Sequence, residues 1–315
     1  MGVVVLGAAI SMIFSPAAGA SAAPLKSNSF YVTSYDLDWA HQKGCHLGET
    51  DRDEPGTQRH VAVLDFGALS QVSGGWEVSA FTGASFSVEK ARQMVEQFAR
   101  GYYGCTGTDT TSTLFIGFGT NNSAGTITSA AGKKLANAAI AANDTITQSG
   151  WKQAHAIGAN DFEAFGKPAS GSTASKAWID GYNSVSGRPF FVNYGSADGC
   201  PTSSFTSGTA CNAGLNSEAI YHVSWTGSAY PLPEIYTTSG SQAKQWMYLS
   251  LYSYTQHSSA FLFQGVMTQH GACAQASCSG TDNTPSAGWN QLTNQLQTNS
   301  HTATTVGAPT DIRWE

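Results

Sequence analysis

Two short acidic segments carry the residue types best suited to breaking a glycosidic bond. Asp161-Phe162-Glu163 sets two carboxyl groups two positions apart, and Glu234 stands in Pro233-Glu-Ile-Tyr236. Residues i and i+2 of a strand point to the same side, so Asp161 and Glu163 are expected to project together, as are Asp36 and Asp38. Clustered carboxyl groups drive one another's pKa values apart. One stays protonated as a general acid while another stays ionised as base or nucleophile, which is what acetal cleavage needs. The competing structural role for each acid is a helix cap, a loop hydrogen bond or a cation contact.

The elements that must position these groups are legible as alternating strands and helices. Apolar, β-branched and aromatic runs recur at Phe30–Tyr35, Val61–Leu64, Leu114–Phe118, Ala154–Gly158, Pro189–Asn193, Ile220–Trp225, Pro233–Tyr236 and Ala260–Gln264. Between them, Val88–Tyr103, Ser129–Gln148, Thr173–Ser184, Ser241–Thr255 and Gly288–Thr298 repeat apolar residues at helical spacing. Such alternation implies right-handed crossovers and a parallel sheet. The expected fold is an α/β chain forming a single (β/α)8 TIM-like barrel over residues 23–315, with an open doubly wound sheet as the alternative. The stretch 40–58 reads as loop, and almost nothing separates Trp225 from Pro233.

Function in such barrels gathers at the C-terminal strand ends. Asp36, Asp38 and Trp39 follow the first run and Asp65 the second. Asn193 and Tyr194 follow the fifth, Trp225 the sixth, Tyr236 the seventh and Gln264 the eighth, with Gln269 beyond. These are the candidate substrate contacts, and Trp39, Tyr194, Trp225 and Tyr236 are candidate stacking surfaces for sugar rings.

Composition narrows the setting. Charged residues make up 11% of the chain and the net charge is −6, so phosphate neutralisation is not available and nucleic acid is not an expected partner. Residues 1–22 read as a signal peptide, an apolar run ending in small residues of the Ala-x-Ala type, and no later stretch reaches the ~18 apolar residues of a membrane span. An exported chain with six cysteines is expected to form disulfides. Proximity pairs Cys200 with Cys211 and Cys273 with Cys278, which leaves Cys45 with Cys105. His41, His46 and His60 lie near one another and read as surface residues. No metal or cofactor is expected, and a monomer is the default. Gly-x-Ser-x-Gly and His-Glu-x-x-His are both absent, which disfavours an ordinary esterase and a zinc protease.

The organisation, with Ser112-Thr-Leu-Phe-Ile-Gly-Phe-Gly-Thr-Asn-Asn122 and Gly158-Ala-Asn-Asp-Phe-Glu163, resembles secreted actinobacterial glycoside-hydrolase-like barrel proteins of unestablished activity. Two hydrolase patterns then compete. In the large retaining clan the acid/base ends strand four and the nucleophile ends strand seven, the places expected for Glu163 and Glu234; that clan's Asn directly before the acid is here Phe162. In chitinase-like and muramidase-like barrels an Asp-x-Glu ends strand four, as Asp161-Phe162-Glu163 does. Both imply Glu163 as proton donor, with Glu234 or Asp161 assisting. The expected function is a secreted glycosidase acting on a polysaccharide or cell-wall glycan. A non-catalytic carbohydrate-binding or inhibitory barrel is the alternative.

Overall fold

The computed structural model of the chain describes residues 22–163, 171–212 and 214–315, so the expected signal peptide lies almost wholly outside the described residues. Eight parallel strands form one curled sheet: β1 (Ser27–Tyr31), β2 (Arg59–Val72), β5 (Thr113–Asn121), β6 (Ala154–Asp161), β7 (Phe191–Asn193), β8 (Ala229–Pro231), β9 (Val266–Thr268) and β10 (Pro309–Trp314). Their order is β8-β7-β6-β5-β2-β1-β10-β9, so chain neighbours are sheet neighbours once β10 is placed beside β1. Two short antiparallel strands, β3 (Gly75–Ser79) and β4 (Ser85–Ser87), extend β2 as a hairpin. Beyond the edge strands, Met267 donates its backbone N–H to Pro233 (2.9 Å) and Ile235 donates to Met267 (2.9 Å).

Among the described residues eight helices flank the sheet: α1 (Leu37–Asp53), α2 (Val88–Cys105), α3 (Ser129–Gln148), α4 (Ser172–Asn183), α5 (Ser217–Trp225), α6 (Ser241–His257), α7 (His270–Ala276) and α8 (Pro285–Leu296). Alternation divides the core. On β2 and β6, Ala62, Leu64, Ala154 and Ala156 face the helices. Val61, Val63, Ile157 and Ala159 face inward with Val192, Leu232 and Met267. All three expected disulfides form, Cys45–Cys105, Cys200–Cys211 and Cys273–Cys278. Such cross-links are compatible with an extracellular protein, and no helix among the described residues is long and apolar enough to cross a membrane.

Four expectations are corrected. Residues 37–53 are helix rather than loop: Asp36 caps the first turn by accepting from the Trp39 N–H (2.9 Å), and Ala40, Gly44, Leu47 and Gly48 form a buried face of mostly small residues. A Cβ on Gly44 would fall 2.0 Å from the Phe98 carbonyl oxygen, so this glycine is what lets α1 lie close on α2. Ile220–Trp225 is the end of α5 rather than a strand, capped by Asn216 accepting from the Ala219 N–H (2.8 Å). A short apolar run fits either state, and here a capped helix with Ala219, Ile220 and Val223 buried prevails. The strand expected at Ala260–Gln264 begins later, at Val266. The eighth strand is the C-terminal run β10, paired with both β1 and β9.

Candidate functional site

Asp161 ends β6 on the inward side, and Glu163 follows two residues later. Phe162 between them turns outward into the core against Trp178, with ring centroids 5.4 Å apart. Asn122 fixes the backbone of Glu163 from both sides: its Oδ1 accepts from the Glu163 N–H (3.0 Å) and its Nδ2 donates to the Glu163 carbonyl (2.9 Å). Glu234 enters from the segment after β8. Gln242 Oε1 accepts from the N–H groups of Tyr236 (2.7 Å) and Thr237 (3.1 Å), and Asn283 Nδ2 donates to the carbonyls of Ile235 (3.1 Å) and Thr237 (2.8 Å). The irregular backbone there is thus held as firmly as a ladder strand.

The result brings together all three residues predicted to act. Carboxylate oxygens of Asp161, Glu163 and Glu234 lie within 4.8 Å of one another. Asp65 joins them in the wall of a 420 Å³ cavity. It sits at an irregularity in β2, where Gly67 takes φ +78° and its N–H donates to Asp65 Oδ1 (2.8 Å). A Cβ at Gly67 would fall 2.1 Å from the Ser79 carbonyl oxygen, so glycine is required both for the turn and for the approach of β3. A second cavity of equal volume, between α1, β1 and β10, has Glu315 as the one carboxylate among its described lining residues and shares only Trp314 with the first.

Burial raises the proton affinity of every acid in the cluster. It pushes Asp65 up to about 7, against the pull of the Gly67 N–H. Asp161 is held well above the carboxylate range by burial first and then by the charges of Glu163 and Asp65. Burial likewise lifts Glu234, reinforced by Glu163 and Asp161, although the Tyr236 hydroxyl donates to its Oε1 (2.8 Å). Glu163 is raised by burial and drawn back by hydrogen bonds from Ser196 and Glu234. None of the described residues lining the cavity is Lys, Arg or His. The cluster therefore relieves its repulsion by keeping protons, and such a group can deliver one.

Comparison with known proteins returns no matching family model, no matching curated protein and no matching solved structure.

The other sequence candidates divide. Asp65 and Tyr236 line the cavity, as does Gln269, whose Nε2 donates to the Tyr31 hydroxyl (2.7 Å). Asp36 and Asp38 are exposed in the first turn of α1, one as its cap. Trp39 lies edge-on to Phe30 in the core (centroids 5.1 Å). Asn193 is buried scaffold, accepting from the Gly195 N–H (3.0 Å) and donating to Ser224 Oγ (2.9 Å). Tyr194 is buried, its hydroxyl donating to the Thr120 carbonyl (2.8 Å). Trp225 packs on Tyr230 and Phe261 at the end of α5. Gln264 lines a groove with Arg59 at the opposite ends of the strands. Of these seven, Tyr194 packs inward but is covered, and the other six were placed near strand ends by segments that end elsewhere or turn their side chains outward.

Sequence reading missed Tyr31, Phe81, Ser123, Asp198, Gln242 and Trp314, all of which line the cavity. Tyr31 and Trp314 were findable, because Thr310-Asp-Ile-Arg-Trp314 alternates as a strand should. Phe81 sits on the turn between β3 and β4, where only the glycines at 74, 75 and 83 signal a hairpin.

Proposed function

We propose that the chain is a secreted glycoside hydrolase whose curled sheet closes as a (β/α)8 barrel, with Glu163 as general acid and Asp161 as the assisting carboxylate. The hydrogen bonds between residues 233–235 and Met267 support closure. With Ile220–Trp225 helical, Glu234 follows the sixth parallel strand in chain order, not the seventh. That departs from the retaining-clan arrangement and favours the Asp-x-Glu pattern at strand four. The observation that carries the reading is the meeting of three carboxyl groups within 4.8 Å in one cavity. A barrel that only binds sugar has no need of such a costly grouping.

In this mechanism the protonated Glu163 gives its proton to the glycosidic oxygen as the bond from that oxygen to the anomeric carbon breaks. The negative charge that this transfer leaves, shared between Glu163 and the adjoining Asp161, stabilises the positive charge that develops on the sugar. Water then adds to the anomeric carbon and its proton returns to Glu163. Glu234, buried and hydrogen-bonded to Glu163 and Tyr236, sets the proton affinity of Glu163 and does not touch the sugar.

Glu163→Gln is expected to lower the release of reducing ends from a panel of plant, fungal and bacterial glycans by about 10²- to 10⁴-fold, with its thermal midpoint retained or raised. Glu234→Gln is expected to shift the pH profile while leaving measurable turnover. Cleavage undiminished in Glu163→Gln, or no cleavage of any glycan by the wild type, would overturn the assignment.

A further inference from the structure

The cavity has a second feature that the acid chemistry does not use. Tyr31 at the end of β1, Phe81 on the β3–β4 turn and Trp314 at the end of β10 form one aromatic patch beside the carboxyl cluster. Ring centroids are 4.8 Å apart for Tyr31 and Phe81, 4.7 Å for Tyr31 and Trp314, and 5.6 Å for Phe81 and Trp314. Phe81 is 39% exposed, and of the large hydrophobic side chains left that open among the described residues it is the one that lines this cavity. A core residue would be covered, and a purely structural turn would not need phenylalanine.

The patch is held in place from several directions. Thr82 Oγ1 donates to the Thr33 carbonyl (2.8 Å), which ties the hairpin turn to the loop after β1. Glu315 accepts from the Ser34 N–H (2.8 Å), from the hydroxyls of Thr33 and Ser34 (2.7 Å each), and from the Thr33 N–H. Gln275 Oε1 accepts from the Trp314 N–H (2.9 Å). Three rings from three elements are thus anchored through one loop and one strand end, an arrangement suited to a binding surface that must not yield.

Resting on the glycosidase reading of the same cavity, we propose that this patch is the sugar-stacking subsite and that the unit it takes is an uncharged pyranose. The axial hydrogens of a pyranose give it an apolar face for the aromatic patch. Its hydroxyls meet Asn121, Gln242 and Gln269 elsewhere in the lining. The described lining residues offer four acidic side chains besides Asp198 and no basic one, so a polyanionic glycan finds no counter-charge. Against a cationic glycan stands the burial of the same carboxyl groups, which raises their proton affinity and so weakens the counter-charge they could supply.

The test is affinity electrophoresis of the Glu163→Gln protein through gels containing hydroxyethyl cellulose or glycol chitin, both neutral, and polygalacturonate or glycol chitosan, both charged. Retardation in at least one neutral gel is expected. Phe81→Ala in the same background should weaken it about tenfold, and Phe81→Tyr should restore it to within about threefold. Three results would each overturn the subsite: no retardation in either neutral gel, retardation unchanged by Phe81→Ala, or an equal Phe81-dependent retardation in a charged gel. Because binding is read on the acid-less variant, the two assignments fail separately. A glycan held through Phe81 but not cleaved by the wild type sinks the hydrolase alone. Cleavage of a glycan that ignores Phe81 sinks the subsite alone.

Discussion

Strand β2 carries two buried acidic assemblies of opposite construction. At its start, on the face toward the helices, His60 Nε2 meets Asp51 Oδ1 (2.9 Å), and the Tyr102 hydroxyl donates to Asp51 Oδ2 (2.7 Å). All three are closed to solvent, and each Asp51 oxygen has a partner. Five residues along, on the inner face, Asp65 stands with Asp161, Glu163 and Glu234, and Asp161 Oδ1 has no hydrogen-bond partner among the described residues. One assembly joins α1 and α2 to the sheet with both of its carboxylate oxygens paired inside the fold, His60 Nδ1 alone lacking a partner among the described residues. The other is left with proton affinity to spare, which is what a site needs and a scaffold avoids.

Removing the central acid from each assembly should therefore have opposite consequences. Asp51→Ala strands the Tyr102 hydroxyl and the His60 ring without their partner and is expected to cost about 3–5 kcal/mol in urea unfolding. A loss below about 1 kcal/mol would mean that the lower assembly is not what fastens α1, and the contrast would collapse. Asp65→Asn keeps an oxygen for the Gly67 N–H but removes a titrating group from a site that repels its charge. Its effect should appear in pH dependence. The folded protein holds the Asp65 proton up to about 7, against an ordinary value of 3.8. The stabilisation is fully present below pH 3.8 and is lost as the pH rises through 7. Unfolding free energy should decline across that window by up to about 4 kcal/mol from this residue, and the decline should flatten in Asp65→Asn. Identical slopes in the two proteins would show that Asp65 is already ionised and compensated.

The difference between the assemblies also explains what could be read in advance. Alternation along β6 places Asp161 and Glu163 together whatever the rest of the fold does, so the pair was visible from two residues and a period of two. Helices such as Ser129–Gln148 were equally plain, because broad apolar faces repeat over several turns. α1 escaped because close packing on α2 selects Ala and Gly, which leave no apolar stripe to detect. Its misreading hid the lower assembly and cast His60, fully buried, as a surface residue. The eighth strand was lost for a different reason. Its alternation is visible, but its partners are β1 and β9, and the burial of its polar Thr310 and Asp311 follows only from long-range hydrogen bonds, one shared between the Thr310 and Ser29 hydroxyls (2.8 Å) and one from Thr268 Oγ1 to Asp311 Oδ1 (2.7 Å). Reading Ile220–Trp225 as a strand, and not the loss of β10, displaced the strand count and put Glu234 one strand too late.

The smallest expected effect sharpens the contrast at its boundary, where scaffold and site meet. The Glu315 side chain resembles Asp51 in that both its oxygens are used, yet it is partly exposed and holds the loop that carries the aromatic patch. Glu315→Ala is expected to cost only about 1–2 kcal/mol of global stability, since water can replace its hydrogen bonds. If the carboxylate also positions the patch, the same change should weaken retardation in neutral-glycan gels about threefold, less than Phe81→Ala because the rings remain present though less fixed. Stability lost with retardation unchanged would assign Glu315 to the scaffold with Asp51. A loss of retardation as large as that of Phe81→Ala would assign it to the site, as a positioning residue on which the placement of Trp314 depends.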